Sequence, residues 1–128
     1  MLNISGNDNI RLYPPLDIEC SDIPKPLSDL LHESNGIMEI MVNPKTKEIM
    51  EIGWIVYPYE RMMEDTQFFM NEYPIEGCVF SDNGCGDPIY MKSDGKIYLF
   101  ECIAGEEHFE ADSLDDFLGM YLIRMSIL

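Results

Sequence analysis

The spacing of apolar residues changes period several times along this chain, and each change marks a new element. From Pro26 onward, Leu27, Leu30 and Leu31 share one face at helical spacing. The proline sits where a first helical turn tolerates it, and Asn35-Gly36 reads as the cap that closes the helix. Residues 38–42 and 49–57 read as two strands, with Asn43-Pro44-Lys45-Thr46-Lys47 turning between them. In the second strand Met50, Ile52, Trp54 and Val56 alternate, which predicts one buried face. The period then returns to helical from about Pro58. Tyr59, Met62, Met63, Thr66, Phe69, Met70 and Tyr73 recur at 3.6-residue spacing until Pro74 stops the helix.

Three short strands follow, at about 76–81, 88–92 and 96–102. Asp94-Gly95 marks a hairpin between the last two, and a further short strand is expected near His108-Phe109. The final helix opens at Ser113, a good N-cap, with Asp116 three residues on. Leu114, Phe117, Leu118, Tyr121, Leu122 and Met125 form its apolar stripe. Most of the strand connections are too short for parallel crossovers. The fold class is therefore α+β, a largely antiparallel sheet packed against helices. Residues 1–22 read as an N-terminal extended segment, with a short strand at 10–13 halted by Pro14-Pro15. Residues 23–128 form the domain proper, and no internal repeat is visible.

The stretch from Phe80 to Tyr90 is the most informative. It runs from an apolar strand through Asp82-Asn83-Gly84-Cys85-Gly86-Asp87-Pro88 into another apolar run. Glycines on both sides of Cys85 allow positive φ twice, and Asp and Asn side chains can bond backbone amides in such a turn. Taken in order, four segments resemble the SUKH superfamily. They are Ile23-Pro24-Lys25-Pro26-Leu27 with Asn35-Gly36, the Gly-Cys-Gly-Asp-Pro turn, the Ser93-Asp94-Gly95 hairpin, and Ser113-Leu114-Asp115-Asp116-Phe117-Leu118. That superfamily includes yeast cell-wall-assembly regulators and many bacterial immunity proteins. The resemblance runs from about residue 23 to about 120. It implies the same α+β fold that the periodicity predicts.

At 128 residues and 46% hydrophobic, the chain is long enough for one self-sufficient core. No apolar run approaches the length of a membrane span. The first residues lack a basic n-region and an apolar h-region, so no signal peptide is expected. Charge changes the picture more. Twenty-four acids face eight bases, a formal net of −16, and no base lies between Lys96 and Arg124. Direct binding of nucleic acid or an anionic membrane needs a cationic surface, so both are disfavoured. A basic partner is favoured and would be steered in. Acidity that serves only solubility is the plainer alternative. Cys20, Cys78, Cys85 and Cys102 show no C-x-x-C spacing. They are read as reduced thiols of a cytoplasmic protein.

The candidates for chemistry are weak. Asp82, Asn83 and Asp87 fail the calcium-loop pattern, because Ser93 stands where an acidic ligand is needed. Cys85 with His108 could pair as nucleophile and base, but a reactive thiol needs an electropositive setting that this chain lacks. Cys20, His32, Cys85 and His108 have no zinc-site spacing. No enzyme activity, cofactor or metal is expected.

The resemblance implies a binding role, that of an immunity protein which neutralises a cognate toxin domain. A nuclease toxin has a cationic active site that an acidic protein can fill. The residues expected to contact such a basic domain are Glu64, Asp65, Asp82, Asp87, Glu106, Glu107 and Glu110. A regulatory scaffold with no toxin partner is the alternative the resemblance leaves open. The oligomeric state is open as well.

Overall fold

In the computed structural model, which describes residues 9–127 and side chains as far as Met120, ten elements alternate along the chain. They are β1 (Ile10–Leu12), α1 (Lys25–Leu31), β2 (Ile37–Val42), β3 (Ile49–Val56), α2 (Tyr59–Glu72), β4 (Cys78–Asp82), β5 (Pro88–Met91), β6 (Ile97–Glu101), β7 (Glu106–Ala111) and α3 (Leu114–Ile127). Two antiparallel sheets form, ordered β1-β2-β3 and β4-β5-β6-β7. The α+β class and the antiparallel pairing agree with the sequence reading. The two sheets meet where the Tyr57 amide donates to the Phe80 carbonyl at 2.7 Å.

One apolar core holds the layers together. Leu27 and Leu31 of α1, Val56 of β3, Met62 of α2, and Phe80 and Val79 of β4 are fully buried within it. Burying each such side chain is worth about 1.5–3 kcal/mol relative to leaving it exposed. Helix α2 is fastened to β4 by Thr66, whose Oγ1 accepts from the Val79 amide at 2.8 Å. Helix α3 begins as its sequence predicts. The Ser113 hydroxyl caps the Asp116 amide at 3.1 Å, and Leu114, Phe117 and Leu118 are buried. The Phe117 ring meets Phe80 edge-on at 5.5 Å. Tyr121, Leu122 and Met125 lie outside the described side chains.

Three expectations need correction. Asn35-Gly36 does not close α1, which ends at Leu31 with His32 as its cap. Asn35 instead reaches the start of α2, where its Oδ1 accepts the Tyr59 amide at 2.8 Å. It supplies a cap that Pro58, lying just before the helix, cannot. Second, the alternation in β3 does not bury one face. Trp54 and Val56 turn inward, but Met50 and Ile52 are about half exposed. Register breaks at Ile37/Met38 and at Glu39/Ile40 interrupt the pleat. Residues 41–53 are exposed throughout. Third, the strand expected near His108 is longer than a two-residue signal suggests, running six residues.

The segment before α1 is held to the body. The Leu16 amide donates to the Leu31 carbonyl at 2.8 Å. Ser34, buried, accepts from the Tyr13 amide at 2.9 Å and donates to the Gly36 carbonyl at 2.8 Å. Among the described residues, no helix is long and apolar enough to cross a membrane.

Candidate functional site

The turn between β4 and β5 is built by its own side chains. Asp82 Oδ1 accepts the Gly84 amide at 2.7 Å, and Asn83 Oδ1 accepts the amides of Cys85 at 2.9 Å and Asp87 at 3.2 Å. Gly84 and Gly86 sit at φ of 83° and 93°, a region that L-residues rarely enter. Asp87 then ties the turn to the end of β6, accepting the Cys102 amide at 3.1 Å. Below the turn, the Tyr57 hydroxyl donates to Asp82 Oδ2 at 2.6 Å. Arg61 lies 4.4 Å over the Tyr57 ring and donates to Asp65 at 3.1 Å. Burial, and next the bond to Asp82, raise the Tyr57 hydroxyl far above its usual pKa, so it stays a donor. The turn therefore has fixed geometry, and its carboxylates are largely engaged by the protein itself.

A second polar assembly crosses the other sheet. The Tyr90 hydroxyl and Lys92 both donate to Glu107, Lys92 at 2.8 Å. Lys92 also lies 4.2 Å over the Tyr98 ring. Burial alone would raise the Glu107 carboxyl, but the bonds from Lys92 and Tyr90 prevail and hold it below its usual value. On the opposite face of the β6–β7 hairpin, Glu101, Glu106 and His108 converge, with ligand atoms within 4.8 Å of one another. A cleft of about 360 Å³ opens between α1, the Asp94-Gly95 turn and the start of α3. Asp29, Asp94, Asp112 and Asp115 line it, along with Ser113 and Leu114. These four carboxylates come from three separate segments of the chain.

Residues 20–120 match the family model described as the SMI1 / KNR4 family (SUKH-1). The chain belongs to this family. No curated protein and no solved structure matches it. The matched residues span the core from Cys20 to the exposed Met120 of α3, so every site described above lies inside the SUKH-1 region.

Within this SUKH-1 domain the seven acidic residues singled out from sequence do not form one continuous surface. Asp65 and Asp82 converge around Tyr57 and Arg61, and Asp87 closes the same turn. Glu64 is exposed on α2. Glu106 and Glu107 are neighbours on β7, so their side chains leave opposite faces of the hairpin. Glu107 is occupied by Tyr90 and Lys92 and is not simply solvated. Glu106, with a side chain 65% exposed, faces His108. Glu110 stands at the register break opposite Ile97 and Tyr98.

His108 meets two carboxylates, and the other histidine, His32, donates to the Ile18 carbonyl at 2.9 Å. Cys85 is exposed, while Cys20 and Cys78 are buried and all four thiols are free. Sequence reasoning missed the aspartate-lined cleft and the Glu101-Glu106-His108 cluster. No local signal announces the cleft. For the cluster the signal was present: Glu106-x-His108 on one strand puts both side chains on one face, and Glu101 lies across a short turn.

Proposed function

We propose that this SUKH-1 protein acts by binding and not by catalysis, as an immunity protein that neutralises a cognate toxin domain of basic character in the cytoplasm. Family membership supports the binding role. The carboxylate-lined cleft is the observation that carries the preference for a basic partner. Four aspartates converge there in a molecule of net charge −16. Asp29 is bound to Lys25 and Asp94 to the Lys96 amide, so Asp112 and Asp115 are the acceptors that a lysine or arginine of a toxin finds there, within a negative field. A nuclease domain, whose own active site is cationic, is the toxin class that this chemistry suits best. The thiols, buried or in an acidic setting, are consistent with a reducing compartment.

The test starts from the neighbouring reading frame. The C-terminal domain of any large exported protein encoded there is co-expressed with this chain, and complex formation and rescue of growth are scored. Association is then followed by stopped flow across a salt series. Glu64→Gln, Glu110→Gln and Asp115→Asn together should slow association at low salt and change it little at high salt, since screening acts within roughly 10 Å at 0.1 M. Among the described residues none of these three side chains holds a hydrogen bond, so the fold should be retained.

The second reading, a regulatory scaffold, draws on the β2–β3 hairpin. Met41, Val42, Ile49, Met50 and Ile52 are 41–55% exposed there. A patch of that kind marks contact surface more often than accident. An association rate indifferent to both salt and the triple substitution would reject the electrostatic reading and move the interface to this hairpin.

A further inference from the structure

Strand alternation and one tight turn place three metal-binding side chains together on the β6–β7 hairpin. Glu101 and Glu106 are cross-strand partners at the mouth of the turn. His108 lies two residues further along β7, on the face that Glu106 shares. His108 Nε2 stands 3.7 Å from a carboxylate oxygen of each glutamate. Those separations are too long for hydrogen bonds. Although the His108 side chain is 43% exposed as a whole, its Nε2 atom is shielded from water and has no hydrogen-bond partner. A polar atom so placed is short of one partner, and among the described residues the two carboxylates beside it hold no hydrogen bond.

We propose that Glu101, Glu106 and His108 bind one divalent transition-metal ion of the Zn²⁺ type, leaving a fourth position for water or for a donor from a bound protein. Ligands at about 2.0–2.2 Å from such an ion lie roughly 3.0–3.5 Å from each other. The imidazole therefore needs to draw in by only a few tenths of an ångström toward each glutamate, while the two carboxylates, whose oxygens lie within 4.8 Å, close on each other by up to about 1.5 Å. The glutamates, 47% and 65% exposed, are free to do so. One imidazole with two carboxylates suits zinc better than magnesium or calcium, which prefer all-oxygen shells. The −16 net charge raises the local concentration of any cation. Binding would also cancel the two exposed negative charges at this end of the hairpin. The inference does not rest on a toxin partner, and its test uses the chain alone.

The experiment is calorimetric titration of the chelator-treated full chain with ZnCl₂ at neutral pH. It is done in a Cys85→Ser background, because the exposed thiol would compete for zinc. One equivalent should bind. His108→Ala and Glu106→Gln should each weaken binding by on the order of tenfold or more, and MgCl₂ should give no saturable heat. In parallel, the ring resonances of the two histidines are followed by NMR. Those of His108 should move with zinc and those of His32 should not. An imidazole that merely sits between the two carboxylates predicts no saturable zinc binding, and that result overturns the proposal. So does binding that His108→Ala leaves intact, or a shift confined to His32. If His108→Ala fails to fold, Glu106→Gln and the ring shifts still decide the matter.

Discussion

Removing one oxygen atom, in Tyr57→Phe, tests whether the β4–β5 turn is held from below. The substitution keeps the buried ring, which is 1% exposed, and keeps the face that Arg61 covers at 4.4 Å. It removes the 2.6 Å bond to Asp82 Oδ2. Asp82 Oδ1 retains the Gly84 amide, so the carboxylate loses one donor and not both. Hydrogen bonds to charged groups contribute about 1.5–3 kcal/mol. Asp82 is partly accessible, so water replaces some of that, and about 1.5–2 kcal/mol of destabilisation is expected.

With an unfolding entropy of about 2.1 cal/mol/K per residue over 128 residues, that loss lowers the melting temperature by about 6–7 °C. Thermal unfolding followed by circular dichroism measures it, and a cycle with Asp82→Asn isolates the pair. The two single substitutions should be non-additive by roughly 1 kcal/mol. A shift below about 1 °C, or additive effects, would show that the hydroxyl is solvated and that the turn stands on its own amide bonds.

Two further outcomes follow from the packing and the thiols. Gly77→Ala should cost about 2–4 kcal/mol, because a Cβ there would lie 2.7 Å from the Met91 carbonyl oxygen at a φ of 149°, and a urea titration with an unchanged midpoint would refute it. Under native conditions a thiol reagent should label Cys85 first, since burial pushes the Cys78 thiol up to about 11, and peptide mapping that found Cys78 labelled as fast would contradict the buried assignment.

Local signals in the sequence were read correctly where the chain solves its own chemistry nearby. Ser113 caps the amide three residues on, and the glycines flanking Cys85 take the positive φ that the turn needs. Non-local solutions were not legible. Asn35 looked like the end of one helix because Asn-Gly is a good local stop. Its real partner is the amide of Tyr59, brought close only by folding. Likewise, alternation in β3 showed neither where register breaks interrupt the pleat nor where the covering layer ends. Met50 and Ile52 lie beyond that edge, whereas Trp54 and Val56 lie within it. The four aspartates of the cleft come from α1, a hairpin turn and the α3 entry, and no spacing rule connects them.

The same distinction narrows the electrostatic argument. A carboxylate that already accepts two protein donors, as Glu107 does from Tyr90 and Lys92, has little left to offer a partner. Removing it would expose unpaired groups, so lost binding and lost stability could not be told apart. Asp82 and Asp87 are in the same position, because each anchors a backbone amide of the turn. Among the described residues Glu64, Glu110 and Asp115 hold no such bonds; Asp115, in the first turn of α3, adds only a small favourable interaction with its helix N-terminus. Long-range attraction depends on the sum of charges and not on which of them are bonded. The engaged carboxylates thus still attract a basic protein from a distance, while the unengaged ones decide what it touches on arrival. On that division, substituting the engaged set should lower stability first, and substituting the free set should lower the association rate alone.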